Sequence, residues 1–188
     1  MKINLTVPVG KSRDWSIEEF VVSKKDAQFF NLRAMMKPGY RIIEPSKYKR
    51  LMYRDSVIMS NTPAEIRECE DFMEIAKGDI LINGLGLGIV LIALLKKKTV
   101  KSITVIEKSK DVIKLVASAY KDKRLTIINA DAFKWRPPIN TKYDYVWHDI
   151  WTDICHDNLV GMDKLCEKYE NKTKWQDCWA KDMCLEMI

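Results

Sequence analysis

A doubly wound α/β protein, with helices packed against a parallel sheet, is the fold class this sequence predicts, and three observations carry it. Short apolar runs of strand character recur at residues 79–83, 102–107, 125–129 and 143–148. Helical patterns separate them, which is the rhythm of right-handed βαβ units. The glycine-rich turn Asn83-Gly84-Leu85-Gly86-Leu87-Gly88 joins the first run to the helix that follows it. The chain has 188 residues, 47% hydrophobic and 31% charged. That length suits one domain with a small appended lobe, and the composition excludes wholesale disorder.

Taken in order, residues 3–9 read as a strand. Ser16-Ile17-Glu18-Glu19 has the form of a helix cap, although the β-branched pair Val21-Val22 opposes it. Arg41-Ile42-Ile43 and residues 56–59 read as a small hairpin. Thr62-Pro63-Ala64-Glu65 is a capping box with proline at the first helical position. Ile66, Cys69, Met73 and Ala76 then recur at helical spacing until Gly78 stops the helix. Residues 79–83 form a strand apolar on both faces, and a helix runs from Gly88 to about residue 98. In the helix over 109–120, Val112, Ile113, Val116, Ala119 and Tyr120 share one face.

Forty residues follow His148. Residues 152–170 place Cys155, Leu159, Met162, Cys166 and Tyr169 at helical spacing, and residues 174–187 stack Trp175, Trp179, Met183 and Met187 at i+4. Both read as helices. The sheet is therefore expected to stop at its fourth strand, with an N-terminal extension over 1–61 and the sheet domain with its C-terminal helices over 62–188.

Lys and Arg number 32 against 26 acids, a net charge of +6. Ten bases and three acids fall within residues 94–124, whereas the chain from 125 onward is net −3. The basic stretch reads as a solvated face, and Lys96-Lys97-Lys98 ends a helix, where the dipole favours cations. No nucleic-acid partner is needed to explain either. The five cysteines form no C-x-x-C pair, and the N-terminus lacks the layout of a signal peptide, so reduced thiols in the cytoplasm are expected. Residues 80–95 are apolar, but Asn83 and three glycines interrupt them and they fall short of the ~20 residues a membrane span needs. No membrane association is expected.

The glycine turn carries the chemistry. Glycines let the backbone bend sharply and approach a ligand, and the following helix offers free N–H groups. Glu107 ends the next strand nineteen residues after Gly88, and a carboxylate there accepts both hydroxyls of a ribose. The spacing G-x-G-x-G departs from the dinucleotide fingerprint G-x-G-x-x-G, which favours a nucleoside ligand without a pyrophosphate. His148, Asp149, Asp153 and His156 lie close in sequence, but no cysteine pair joins them and the first two sit at a strand end. No metal is expected. His148 reads as a satisfied strand-end histidine. Trp147, Trp151, Trp175 and Trp179 read as core.

Residues 80–88, Val105-Ile106-Glu107 and Ala130-Asp131-Ala132 resemble the S-adenosylmethionine motifs of class I methyltransferases, most closely the spermidine-synthase-like branch. Over about residues 40–180 the chain is also similar to small phage-encoded methyltransferase-like proteins, in which a segment like residues 59–65 precedes the glycine loop. The resemblance implies a Rossmann-like core in which Asn83, Gly84, Gly86 and Gly88 wrap the methionine-like part of the ligand. Glu107 would hold the ribose, with Lys108 and Ser109 beside it. Asp131 would accept from the adenine amino group, with Ala132 close to the ring. Asp149 matches a catalytic carboxylate that takes a proton from an attacking amine.

The departures narrow the function. Asn83 stands where methyltransferases usually carry an acid, and Ile150-Trp151-Thr152-Asp153 is not a polyamine-binding loop. The Asp/Asn-Pro-Pro-aromatic signature of DNA amino-methyltransferases is absent, as is a Pro-Cys nucleophile for cytosine chemistry. The leading expectation is an S-adenosylmethionine-dependent methyltransferase acting on a small molecule. The alternatives are aminopropyl transfer from decarboxylated S-adenosylmethionine, and a non-catalytic nucleoside-binding or partner-docking protein on the same fold. The apolar faces of the C-terminal helices suit either pocket closure or a homodimer.

Overall fold

The computed structural model describes residues 3–35 and 42–187. It contains two sheets. The first is antiparallel, in the order β1(Gly10–Ser12), β2(Trp15–Val22), β3(Ser46–Tyr53), β4(Ser56–Ser60), with helix α1(Lys24–Ala34) between β2 and β3. The second is built from β5(Gly78–Asn83), β6(Val100–Glu107), β7(Leu125–Asn129), β8(Tyr143–His148) and β9(Thr173–Cys178). Its order is β7-β6-β5-β8-β9, and every pairing is parallel. The chain leaves β5 toward β6 and returns to β5's other side as β8. The crevice at the carboxyl ends of β5 and β8 is therefore the topological switch point, where open α/β sheets bind ligands.

Helices α2(Pro63–Glu68), α3(Glu70–Ile75), α4(Ile89–Leu95) and α5(Lys110–Val116) pack on one face of this sheet. Their apolar residues meet Ile80, Ile82, Ile103 and Val105, and Phe72 stacks on Trp147 with ring centroids 4.9 Å apart and planes within 8°. Helix α6(Asn158–Tyr169) covers the other face through Leu165 and Tyr169, against Leu81, Ile106 and Val146. A last short helix, α7(Lys181–Leu185), follows β9. Among the described residues no helix is long and apolar enough to cross a membrane.

The doubly wound core and its four expected strands are present, but the sheet does not stop at the fourth. Residues 173–178 form a fifth parallel strand, with Tyr145 opposite Trp175 and His148 opposite Cys178. The four-residue spacing of Trp175 and Trp179 misled because four is a multiple of two as well as near a helical turn. Trp175 stacks over Phe72, while Cys178 points to the α6 side.

Ser16-Ile17-Glu18-Glu19 lies inside β2 rather than capping a helix. Ile17 is fully buried there, and Glu18 pairs across the ladder with Arg50 at 2.9 Å. The capping box belongs instead to Ser23, whose hydroxyl accepts from the Asp26 N–H while the Asp26 carboxylate accepts from the Ser23 N–H. Residues 3–9 join no ladder, although Ile3, Leu5 and Val7 are buried in strand-like alternation. The hairpin is β3–β4. Of its expected first strand, Arg41 lies outside the described residues, and Ile43 precedes β3, held by the Asn31 side chain. The helix expected over 62–77 breaks at Cys69 into α2 and α3. Thr62 makes no side-chain cap, because Glu65 reaches back to the N–H and hydroxyl of Ser60 instead.

Candidate functional site

A cavity of about 360 Å³ lies at the switch point, within the size range of small-ligand sites. Its floor is the turn after β5. The Gly84 N–H donates to the Ile106 carbonyl at 2.8 Å, and the Asp149 N–H donates to the Asn83 carbonyl at 2.7 Å, tying the ends of β5, β6 and β8 together. Gly84 has φ +102°, and a Cβ on it would fall 1.8 Å from the Asp149 carbonyl oxygen. Only glycine allows this approach.

Glu107, half-buried at the end of β6, accepts from the Leu85 N–H at 2.9 Å on one oxygen and from the Ser109 N–H at 2.7 Å on the other. Each oxygen keeps further acceptor capacity, and Glu107 lines the cavity. Farther along, Asp131 accepts from the Phe133 N–H and pairs with Lys108 at 3.2 Å. Burial acts to raise the Asp131 carboxyl, but these two partners outweigh it and hold it below the ordinary range. Ala132 is buried beside it.

Asp149 follows β8, on the same side of the sheet as Trp147. Burial above all, with the charges of Glu65, Glu68 and Glu107 added, pushes its carboxyl up to about 7, against the opposing pull of Trp147. A carboxyl poised there can both hold and release a proton near neutral pH.

Gly84, Gly86, Gly88, Glu107, Lys108, Asp131, Ala132 and Asp149 thus line one cavity. The Asn83 side chain does not. It points to the opposite face of the sheet, where its Nδ2 donates to His148 Nδ1 at 2.8 Å. His148 is fully buried, its other nitrogen lies 3.3 Å from Gln176 Oε1, and burial pulls its pKa down to about 4. It is a neutral core histidine, turned away from Asp149's side of the sheet. Strand alternation carried this signal: Ile82 lines the cavity, so Asn83 must face away. Asp153 and His156 are exposed and outside the lining, and no metal-binding group of His, Cys, Asp and Glu occurs among the described residues.

Other walls were not expected. Trp15, Leu51, Ile58 and Met59 of the antiparallel sheet close one side, and the Leu87 N–H points at Met59 Sδ, 3.0 Å away. Glu65 and Cys69 enter from α2 and its end, and Trp151 and Trp179 complete the rim. The Trp179 indole N–H donates to Glu68 at 2.9 Å. The four tryptophans read as core therefore divide: Trp147 and Trp175 stack on Phe72, while Trp151 and Trp179 border the cavity.

Among solved structures, the plantazolicin methyltransferase BpumL in complex with SAH is 17% identical over 58% of this chain and 40% of that one, with a TM-score of 0.42. A Thermoplasma acidophilum protein is 17% identical over 65% and 62%, with a TM-score of 0.42. The methyltransferase domain of bacterial CtHen1 is 17% identical over 53% and 54%, with a TM-score of 0.39. This chain spans less than two thirds of the length of each. No curated protein matches it. The family model of the spermine/spermidine synthase domain matches residues 66–164, from α2 into α6, which includes the whole glycine turn, Glu107, Asp131 and Asp149. With more than half of its length matched, the chain belongs to the spermine/spermidine synthase domain family.

Proposed function

We propose that the cavity binds an adenosyl sulfonium, and that the protein transfers an alkyl group from it to a small amine. One observation carries the reading. Glu107, Asp131 and Asp149 line the cavity, and among the described lining residues the one cation, Lys108, is already paired with Asp131. Such a lining attracts cations and repels a free carboxylate. It therefore favours decarboxylated S-adenosylmethionine over S-adenosylmethionine, and membership of the spermine/spermidine synthase domain family supports the same aminopropyl donor.

The residues fit the ligand in kind. Glu107 offers acceptor lone pairs to a ribose, Asp131 and Ala132 offer an acceptor and a flat apolar contact to a base, and the glycine turn leaves room for the rest. The sulfonium supplies an electrophilic carbon and a neutral leaving group. The chain supplies alignment, and its acids draw in the amine as an ammonium. Asp149, poised at about 7, takes the proton that must leave before the nitrogen can attack.

Calorimetry with decarboxylated S-adenosylmethionine, S-adenosylmethionine and S-adenosylhomocysteine tests this. Binding of the decarboxylated donor at micromolar Kd, about −8 kcal/mol, and at least roughly tenfold tighter than S-adenosylmethionine is expected. Asp149→Asn should keep that binding and lose turnover, and Glu107→Gln should lose both. Preference for S-adenosylmethionine would move the reading to methyl transfer. Binding without turnover of any amine leaves a nucleoside-binding protein, and no binding at all refutes the site.

A further inference from the structure

Across the sheet from the glycine turn, Cys166 of α6 and Cys178 of β9 bring their Sγ atoms to 3.8 Å. All five cysteines are free thiols, and these two sit in an apolar cluster with Met162, Cys184 and Leu159. A side-chain tie holds them together: Gln176 Nε2 donates to the Cys166 carbonyl at 2.9 Å, fastening α6 to β9. Lys181 of α7 adds a second tie, to Asp163 of α6 at 3.2 Å. A disulfide needs ~2.05 Å between sulfurs, so the sulfurs must approach by less than about 2 Å.

We propose that Cys166 and Cys178 are an oxidation site, converted by a hydroperoxide to an intramolecular disulfide and restored by thiols. The two sulfurs have unequal parts. Cys166 is partly exposed and Cys178 is buried. The Cys178 thiol, hydrogen-bonding to Cys166, lowers the Cys166 thiol below its ordinary value; Lys181 helps, while burial, Asp163 and Asp177 oppose. The same contact, together with burial, pushes Cys178 far up. Cys166 is thus the thiolate that meets the oxidant. It attacks one peroxide oxygen, the O–O bond breaks, and an alcohol (or water) leaves with the proton, giving a sulfenic acid. The Cys178 sulfur then attacks Cys166, the S–O bond breaks, and hydroxide departs with the Cys178 proton as water. Two thiols and one hydroperoxide give one disulfide, one alcohol and one water. The bond forms whether or not the cavity on the other face binds a nucleoside.

The test is peptide mapping of the full-length reduced protein after limited hydrogen peroxide, with free thiols alkylated before digestion. A linked peptide joining Cys166 to Cys178, reversed by dithiothreitol, is expected. In Cys178→Ser the resolving thiol is gone, so a dimedone-reactive sulfenic acid should accumulate at Cys166, roughly tenfold faster than at the partly exposed Cys155. Oxidation of Cys155 before Cys166, a Cys178–Cys184 link, or Cys166 and Cys178 left alkylatable while other thiols react would each overturn the proposal.

Discussion

Asp149→Asn should stabilise the protein, and only where the native side chain would be charged. Burial and the neighbouring carboxylates raise this carboxyl from the ordinary 3.8 to about 7. In the unfolded chain it loses its proton near 4, while the folded protein keeps it until about 7. Between those values the folded state binds more protons, so its stability falls as pH rises. The roughly three-unit shift, at ~1.4 kcal/mol per unit, makes the charged form about 4 kcal/mol unfavourable once pH exceeds 7. Asparagine keeps the shape without the charge. The variant should therefore exceed the native protein by about 4 kcal/mol at pH 8 and by less than about 1 kcal/mol at pH 4. Urea unfolding of both proteins at the two pH values, followed by tryptophan fluorescence with the slopes compared, measures the difference directly. A gap that does not change with pH, or a variant weaker than the native protein at pH 8, would refute the claim that Asp149 is held in a half-buried, acid-crowded position.

Two further outcomes separate backbone from side-chain constraints. Gly84→Ala puts a methyl onto the Asp149 carbonyl at φ +102° and should cost more than about 3 kcal/mol. In Gly86→Ala the methyl meets only the end of the flexible Met59 side chain, its sulfur and methyl, at φ +50°, so about 1 kcal/mol is expected; equal urea midpoints for the two variants would contradict this. Arg124 donates to the carbonyls of Leu95, Lys97 and Val100 and pairs with Asp122, locking the end of α4 to the start of β6. Arg124→Lys keeps the charge but not the planar fork, and should lower the urea midpoint in the same assay.

What could be read from the sequence depended on whether a residue's role was local. The strands at 79–83, 102–107, 125–129 and 143–148 announced themselves because buried parallel strands are short apolar runs between helical patterns. The glycine turn and Glu107 were legible for the same reason: their meaning follows from standing just after consecutive strands. Strand β9 was not, since its edge position leaves Lys174 and Asp177 exposed and only Trp175 and Cys178 to mark its faces. Ser16 to Glu19 mimicked a cap inside a strand, because Glu18 serves a cross-strand arginine rather than a helix end. Glu65 has the spacing of a capping partner, but its carboxylate reaches Ser60 and borders the cavity. Met59 and Trp15 carry no local sign of a cavity at all, because their roles arise only when the two sheets meet.

That meeting explains why the carboxylates matter together. The parallel sheet brings Glu107 and Asp149 to neighbouring strand ends through β6, β5 and β8. The segment leaving the antiparallel sheet then adds Glu65 and Glu68 from α2, beside the wall made by Trp15, Leu51 and Met59. Apolar walls lower the local dielectric, so charges from distant parts of the chain act on Asp149 more strongly than they would in water. Removing a wall and removing an acid should thus act in one direction, each returning the Asp149 carboxyl toward its ordinary value. The proton affinity of this one side chain is a property of the junction between the two sheets, and β8 alone would not produce it.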